Sequence, residues 1–192
     1  MGINIKKAID ILNGGGILGF PTDTVNGMGV LYDNFDGIEK IFYLKKREKN
    51  KPFALFFHSR ESVFNFFRKS KTLDIITREF LPGPLTIISS PKKNLHPLLL
   101  KENLASFRVP DNKMLLSLLK EIGKPLAVTS LNLSGERVIC TKEESMKKLK
   151  SISIFGILKT KSIHSTIVKV YAGNIEVLRE GVISSREFYR KL

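Results

Sequence analysis

The chain has 192 residues, 42% apolar and 26% charged, a balance that excludes a disordered polymer and sets the expectation of one ordinary domain, residues 1–192, with a sizeable core. Its 32 lysines and arginines against 18 aspartates and glutamates give a formal charge of +14, which draws polyanions such as nucleotide phosphates or nucleic acid, although lysines scattered over solvated faces produce the same balance. A single cysteine, Cys140, excludes an internal disulfide and a cysteine-rich zinc site, and no run approaches the roughly 18 apolar residues of a membrane span, so a cytoplasmic protein without a signal peptide or membrane partner is expected.

In chain order, Ile5, Ala8, Ile9 and Leu12 fall at helical spacing and predict a first helix, closed by Gly14-Gly15-Gly16. Ile17 to Phe20 predicts a buried strand. Asp36 is the expected cap of a helix carrying Ile38, Ile41, Phe42 and Leu44 on one side. Phe53 to Phe57 reads as a strand, with helical stretches around Ser62 to Phe67 and Leu73 to Phe80. Pro82-Gly83-Pro84 breaks the chain before a strand at Leu85 to Ser89. Further strands are predicted at Ala105 to Val109, Leu126 to Thr129, Ser165 to Val170 and Glu176 to Arg179, and helices near Met114 to Ile122 and Glu143 to Lys150. Short strands alternating with helices predict an α/β sheet covered by helices, with no repeat or linker dividing it.

In such a sheet ligands bind where strands end, so polar residues at those ends are the candidates. Pro21-Thr22-Asp23-Thr24 follows the first strand; its hydroxyls suit a small polar ligand and equally an ordinary Asx or Thr turn. Lys45-Lys46-Arg47-Glu48-Lys49-Asn50-Lys51-Pro52 holds five cations in eight residues. Cations at a helix C-terminus complement its dipole, and Arg with Lys also makes a phosphate-binding rim. Arg108 lies inside the apolar Phe107-Arg108-Val109, where a guanidinium needs a partner, either a structural carboxylate or that of a ligand. In Thr129-Ser130-Leu131-Asn132-Leu133-Ser134-Gly135, an extended backbone would point Ser130, Asn132 and Ser134 to one side, although a loop or helix cap is an equal alternative. Ser165-Thr166 leads one strand and Arg179 closes another.

Taken in order these segments resemble the YrdC family, whose members make L-threonylcarbamoyl-AMP for tRNA modification. The matches are PTDTVNG, KKREKNKP, LPGPLT, RVPDN, SLNLSG, STIV and LREG, running over nearly the whole chain. The resemblance implies a twisted mixed β-sheet surrounded by helices, with a basic concave ligand cleft. It implies the signature Lys45, Arg47, Ser130 and Asn132 of the active enzyme, ATP contacts at Arg47, Lys51, Ser130 and Arg179, and L-threonine contacts at Thr24, Arg108 and Ser165. The implied reaction is a nucleotidyl transfer in which L-threonine, bicarbonate and ATP give threonylcarbamoyl-AMP and pyrophosphate. Lys45, Arg47 and Arg179 would bear on the phosphoryl charge, and Mg²⁺ would be held mainly by the triphosphate with no dedicated protein metal site. The product would pass to a tRNA threonylcarbamoyl transferase complex.

The sequence departs from the family pattern at Asn26, Glu48, Leu131 and Asn112, the first three expected at the pocket border. A threonine-contacting histidine of some members is matched by Phe56, with His58 two residues on and on the same strand face. His58, His96 and His164 are expected to be structural or surface residues. The alternative is a non-catalytic relative that binds nucleotide or double-stranded RNA in RNA maturation; the chain looks like the short form of the family, without the segments that the hydrogenase-maturation relatives add.

Overall fold

A computed structural model describes residues 3–46, 48, 51–159 and 163–192. In chain order the elements are α1 (Ile5–Asn13), β1 (Ile17–Phe20), β2 (Gly27–Leu31), α2 (Phe35–Lys45), β3 (Ala54–Phe56), α3 (Arg60–Val63), α4 (Lys71–Phe80), β4 (Leu85–Ser89), β5 (Ala105–Arg108), α5 (Lys113–Ile122), β6 (Leu126–Ser130), α6 (Lys142–Lys148), β7 (Ile152–Ile154), β8 (Thr166–Tyr171), β9 (Asn174–Arg179) and α7 (Ser185–Arg190). All the strands join one mixed sheet in the order β7-β1-β2-β6-β3-β5-β4-β8-β9. Three pairs are parallel (β1 with β7, β3 with β5, β4 with β8) and the other five, including the central run β1-β2-β6-β3, are antiparallel.

Period-two alternation divides the two faces. Leu55, Ile87, Phe107 and Val168 point into the larger core with Ile41, Phe42, Leu73 and Ile76 of α2 and α4. On the opposite face Leu18, Phe20, Leu126 and Val128 pack with Ala8 and Leu12 of α1 and Leu115, Leu118 and Leu119 of α5. That second cover stops short. The outward residues of β5, β4, β8 and β9 (Ser106, Arg108, Thr86, Ile88, Ile167, Lys169 and others) line an open concavity instead.

Besides α7, which no predicted element covers, three elements differ from expectation. Asn34, not Asp36, caps α2: its Oδ1 accepts from the Gly37 N–H at 2.9 Å. The glycine-bearing segment after Thr24, for which no element was predicted, returns as β2, buried throughout and flanked by β1 and β6. Gly29 serves that close packing, because a Cβ there would lie 2.6 Å from the Ala127 carbonyl oxygen. The third is β7, whose weakly apolar Ile-Ser-Ile is drawn into the sheet by pairing with β1.

Candidate active site

The concavity encloses about 690 Å³ and is floored by the outward side chains of β3, β5, β4, β8 and β9. At one end four of the sequence motifs meet. Register places Arg108 beside Phe56 on β3, and the Phe56 ring lies under the guanidinium, 5.8 Å from ring centre to Cζ. Arg108 is 3% exposed and is gripped from three sides: Nε donates to the Gly83 carbonyl at 3.0 Å, Nη1 donates to Thr24 Oγ1 at 2.6 Å, and Nη2 lies 2.6 Å from Asp23 Oδ1. The ion pair is close but not aligned as a hydrogen bond, so Nη2 and both Asp23 oxygens are buried with unused bonding capacity. Burial pulls the Arg108 pKa down and Asp23 opposes it; the guanidinium stays charged.

Thr24 is buried and presented by its own turn. Thr22 Oγ1 receives the Thr24 N–H at 2.9 Å, donates to the Val25 carbonyl at 2.8 Å, and lies 3.1 Å from Thr24 Oγ1. Across the floor, Thr86 Oγ1 and Ser165 Oγ are 2.9 Å apart, and Arg179 donates through Nη2 to the Ser165 carbonyl at 2.8 Å. Burial lowers the Arg179 pKa without removing its charge. The segment after Arg179 is locked to the start of β8: Thr166 Oγ1 accepts from the N–H groups of Gly181 and Ile183, both at 3.0 Å. Gly181 permits this approach. A Cβ there would stand 2.1 Å from the His164 carbonyl oxygen and 2.5 Å from the Ser165 carbonyl carbon.

The Ser130–Asn132 segment behaves differently from its extended reading. β6 ends at Ser130 and the backbone turns, with the Asn132 N–H donating to the Ser130 carbonyl at 3.0 Å. Lys45, 1% exposed at the end of α2, donates through Nζ to the Ser130 carbonyl (2.5 Å), the Asn132 carbonyl (2.6 Å) and Asn132 Oδ1 (2.7 Å). Ser130 Oγ donates to the same Oδ1 at 2.7 Å, and the Lys45 carbonyl receives the Ser134 N–H. The resemblance assigned Lys45 to phosphoryl charge; in the structure its ammonium is bonded to this loop, and Lys45 is not among the residues that line the cavity. Asn132 is absent from the wall too, and Ser130 reaches it. Lys51 lines the mouth, paired to Glu48 at 3.3 Å, while Arg47 lies outside the described residues.

The pattern departures resolve structurally. Asn26 and Leu131, expected at the pocket border, are fully buried away from the cavity. Asn26 Nδ2 donates to the carbonyls of Ile139 and Lys159, and its Oδ1 accepts the Lys159 N–H, all at 2.9 Å. Leu131 belongs to the main core. Asn112 caps α5 by accepting from the Leu115 N–H at 3.0 Å. His58 lies beyond the end of β3 and does not reach the cavity, whereas Phe56 does. Sequence reasoning passed over Thr86, and also Lys101, Glu102, Lys169 and Glu176 at the far end of the floor, and it named Asp23 and Gly83 within their motifs without foreseeing them as partners of Arg108. The period-two alternation of the strands was the available signal for Thr86, Lys169 and Glu176.

The Sua5/YciO/YrdC family model, described as telomere recombination, matches residues 10–181. The chain is 32% identical over 190 residues to a putative threonylcarbamoyl-AMP synthase of Methanocaldococcus jannaschii, covering 97% of this chain and 88% of that protein. It is 29% identical over 136 residues to the threonylcarbamoyl-AMP synthase of Photobacterium profundum, covering 69% and 74%. In structure it resembles P. abyssi Sua5 complexed with L-threonine (TM-score 0.89, 21% identity, 98% of this chain), of which it spans 57%. It also resembles E. coli YciO (TM-score 0.86, 24% identity), covering 96% of this chain and 92% of that one. With a family model matched over most of its length and a relative aligned almost end to end, the chain belongs to the Sua5/YciO/YrdC family.

Proposed function

We propose that the chain is a threonylcarbamoyl-AMP synthase, a nucleotidyltransferase that joins L-threonine, bicarbonate and ATP into threonylcarbamoyl-AMP and pyrophosphate. The observation that carries the reading is the convergence of Thr24, Arg108, Ser165 and Arg179, from four separate motifs, on one end of a single cavity. The Arg108 guanidinium, held at the cavity wall by Gly83, Thr24 and Asp23, supplies the fixed positive charge that a substrate carboxylate needs. The hydroxyls of Thr24, Thr86 and Ser165 orient the rest of the amino acid. Two bound substrates held in attacking geometry account for most of such a reaction, and no covalent enzyme intermediate is required.

The carboxylated amino acid attacks the α-phosphorus through a carbamate oxygen, and the bond to pyrophosphate breaks. Negative charge grows on the phosphoryl oxygens and the leaving group, where fixed cations stabilise it. Arg179 and Lys51 line the cavity for this role, with Arg47 assigned to it by motif. Lys45 and Asn132 serve as positioning residues that hold Ser130 at the wall. Mg²⁺ would be held mainly by the triphosphate oxygens, whose charge it would offset. Among the described residues no group of three or more potential metal ligands gathers. The basic character of the cleft, bicarbonate as the carbon source, transfer of the product to a tRNA threonylcarbamoyl transferase complex, any direct RNA contact and a cytoplasmic setting belong to the same reading. Among the described residues no helix is long and apolar enough to cross a membrane.

The test is pyrophosphate release from ATP with Mg²⁺ and bicarbonate, with and without L-threonine and with serine as control. Release that requires threonine supports the reading; a folded protein that binds ATP yet releases nothing overturns it.

A further inference from the structure

An amino acid reaches the cavity as an ammonium ion, whose nitrogen has no lone pair with which to attack a carbonate carbon. The synthase chemistry therefore needs a proton acceptor beside the amino-acid end. Five of the described cavity-lining groups, Lys51, Lys101, Arg108, Lys169 and Arg179, are cationic side chains that donate hydrogen bonds rather than accept a proton. The two lining carboxylates lie at the other end. Glu176 is the register partner of Lys169, four residues along from Ser165 and so about 13 Å away at the rise of a strand. Glu102 is ion-paired to the same Lys169 at 3.8 Å. Asp23 is closer, but its oxygens are buried against Arg108 and it does not line the cavity.

Among the described residues that line the cavity, the remaining titratable group is His164, immediately before Ser165. Its backbone is fixed where it matters: the His164 carbonyl receives the Val182 N–H at 3.0 Å, and the next carbonyl, that of Ser165, receives Arg179. We propose that His164 is the general base of the synthase, an inference that rests on the reading above. The neutral imidazole accepts one proton from the substrate ammonium. The freed amine nitrogen forms a bond to the bicarbonate carbon, the carbon–hydroxyl bond breaks, and the departing hydroxide takes the second nitrogen proton as water. The products are a carbamate, water and an imidazolium, and no oxidant or reductant is involved. Partial burial, and then the charge of Arg179, the charged group acting on it from β9, hold the His164 pKa below the ordinary histidine value of 6.5. At neutral pH its lone pair is therefore available.

The test compares wild type with His164→Gln, following kcat/KM for threonine against pH, with melting temperature as a control for folding. Wild type should lose activity as pH falls through an ionisation below 6.5. The variant should be slower by roughly 10²- to 10⁴-fold at neutral pH, the usual contribution of a general base. It should lack that ionisation, and should recover as rising pH supplies free amine. A second readout needs no turnover: the chain has three histidines, so the imidazole NMR signal absent from the variant identifies His164, and threonine should shift it in wild type. An unchanged pH profile and rate in the variant, or a His164 signal indifferent to threonine, overturns the proposal while leaving the synthase reading standing. Wild type that releases no pyrophosphate overturns both.

Discussion

Lys45→Met separates a positioning role from direct contact with substrate. Methionine keeps most of the buried aliphatic stem and removes only the ammonium. Of its three acceptors, the Ser130 carbonyl keeps the Asn132 N–H and Asn132 Oδ1 keeps the Ser130 hydroxyl, whereas the Asn132 carbonyl loses the bond made at 2.6 Å. A charge-assisted bond contributes about 1.5–3 kcal/mol, and weakening of the other two adds to this. Relief of ammonium desolvation subtracts. A net loss of about 2–3 kcal/mol is expected, which in a domain of this size lowers the melting temperature by roughly 4–12 °C. The protein should remain folded, since typical stabilities are about 5–15 kcal/mol. Threonine-dependent turnover should fall with it, because Ser130 is no longer held at the wall. Thermal denaturation followed by circular dichroism and pyrophosphate release measure the two effects. Lost activity with an unchanged melting temperature would refute the reasoning and return Lys45 to direct contact with the phosphates.

Arg108→Lys removes the fork that bonds Gly83 and Thr24 together; KM for threonine should rise roughly 10- to 150-fold, the equivalent of one charged hydrogen bond, with KM for ATP little altered in steady-state kinetics. Gly181→Ala forces a Cβ against the His164 and Ser165 backbone, so both urea stability and turnover should fall sharply, and a variant with wild-type kinetics would show that this approach is not needed. Asn26→Leu leaves two carbonyls and one N–H without their partners; it should lower stability by about 2–4 kcal/mol in urea denaturation while leaving KM for threonine nearly unchanged in whatever folded fraction remains.

Much of the sheet was legible because its strands are short apolar runs with polar ends: Ile17–Phe20 and Leu85–Ser89 fall where they were expected. β2 was hidden because Gly27 and Gly29 look like turn residues, and only the tertiary crowding against Ala127 and Val128 explains glycine in a strand. Leading residues of the site were legible from chemistry, since an arginine inside Phe107-Arg108-Val109 must be satisfied. What could not be read was who satisfies it. Gly83, Asp23 and Thr24 are 25, 85 and 84 positions away in sequence, and the sheet order alone brings them together. Asn26 and Leu131 misled for the opposite reason: they sit next to motif residues, but alternation and the turn after β6 direct them into the interior.

The most direct test of the central claim is to identify the product by mass spectrometry after incubation with ATP, Mg²⁺, L-threonine and carbon-13 bicarbonate. Threonylcarbamoyl-AMP carrying the label, formed in step with pyrophosphate and absent when threonine is withheld, is the predicted result. Nucleotide bound but returned unchanged, or pyrophosphate released without a labelled adenylate, would contradict it.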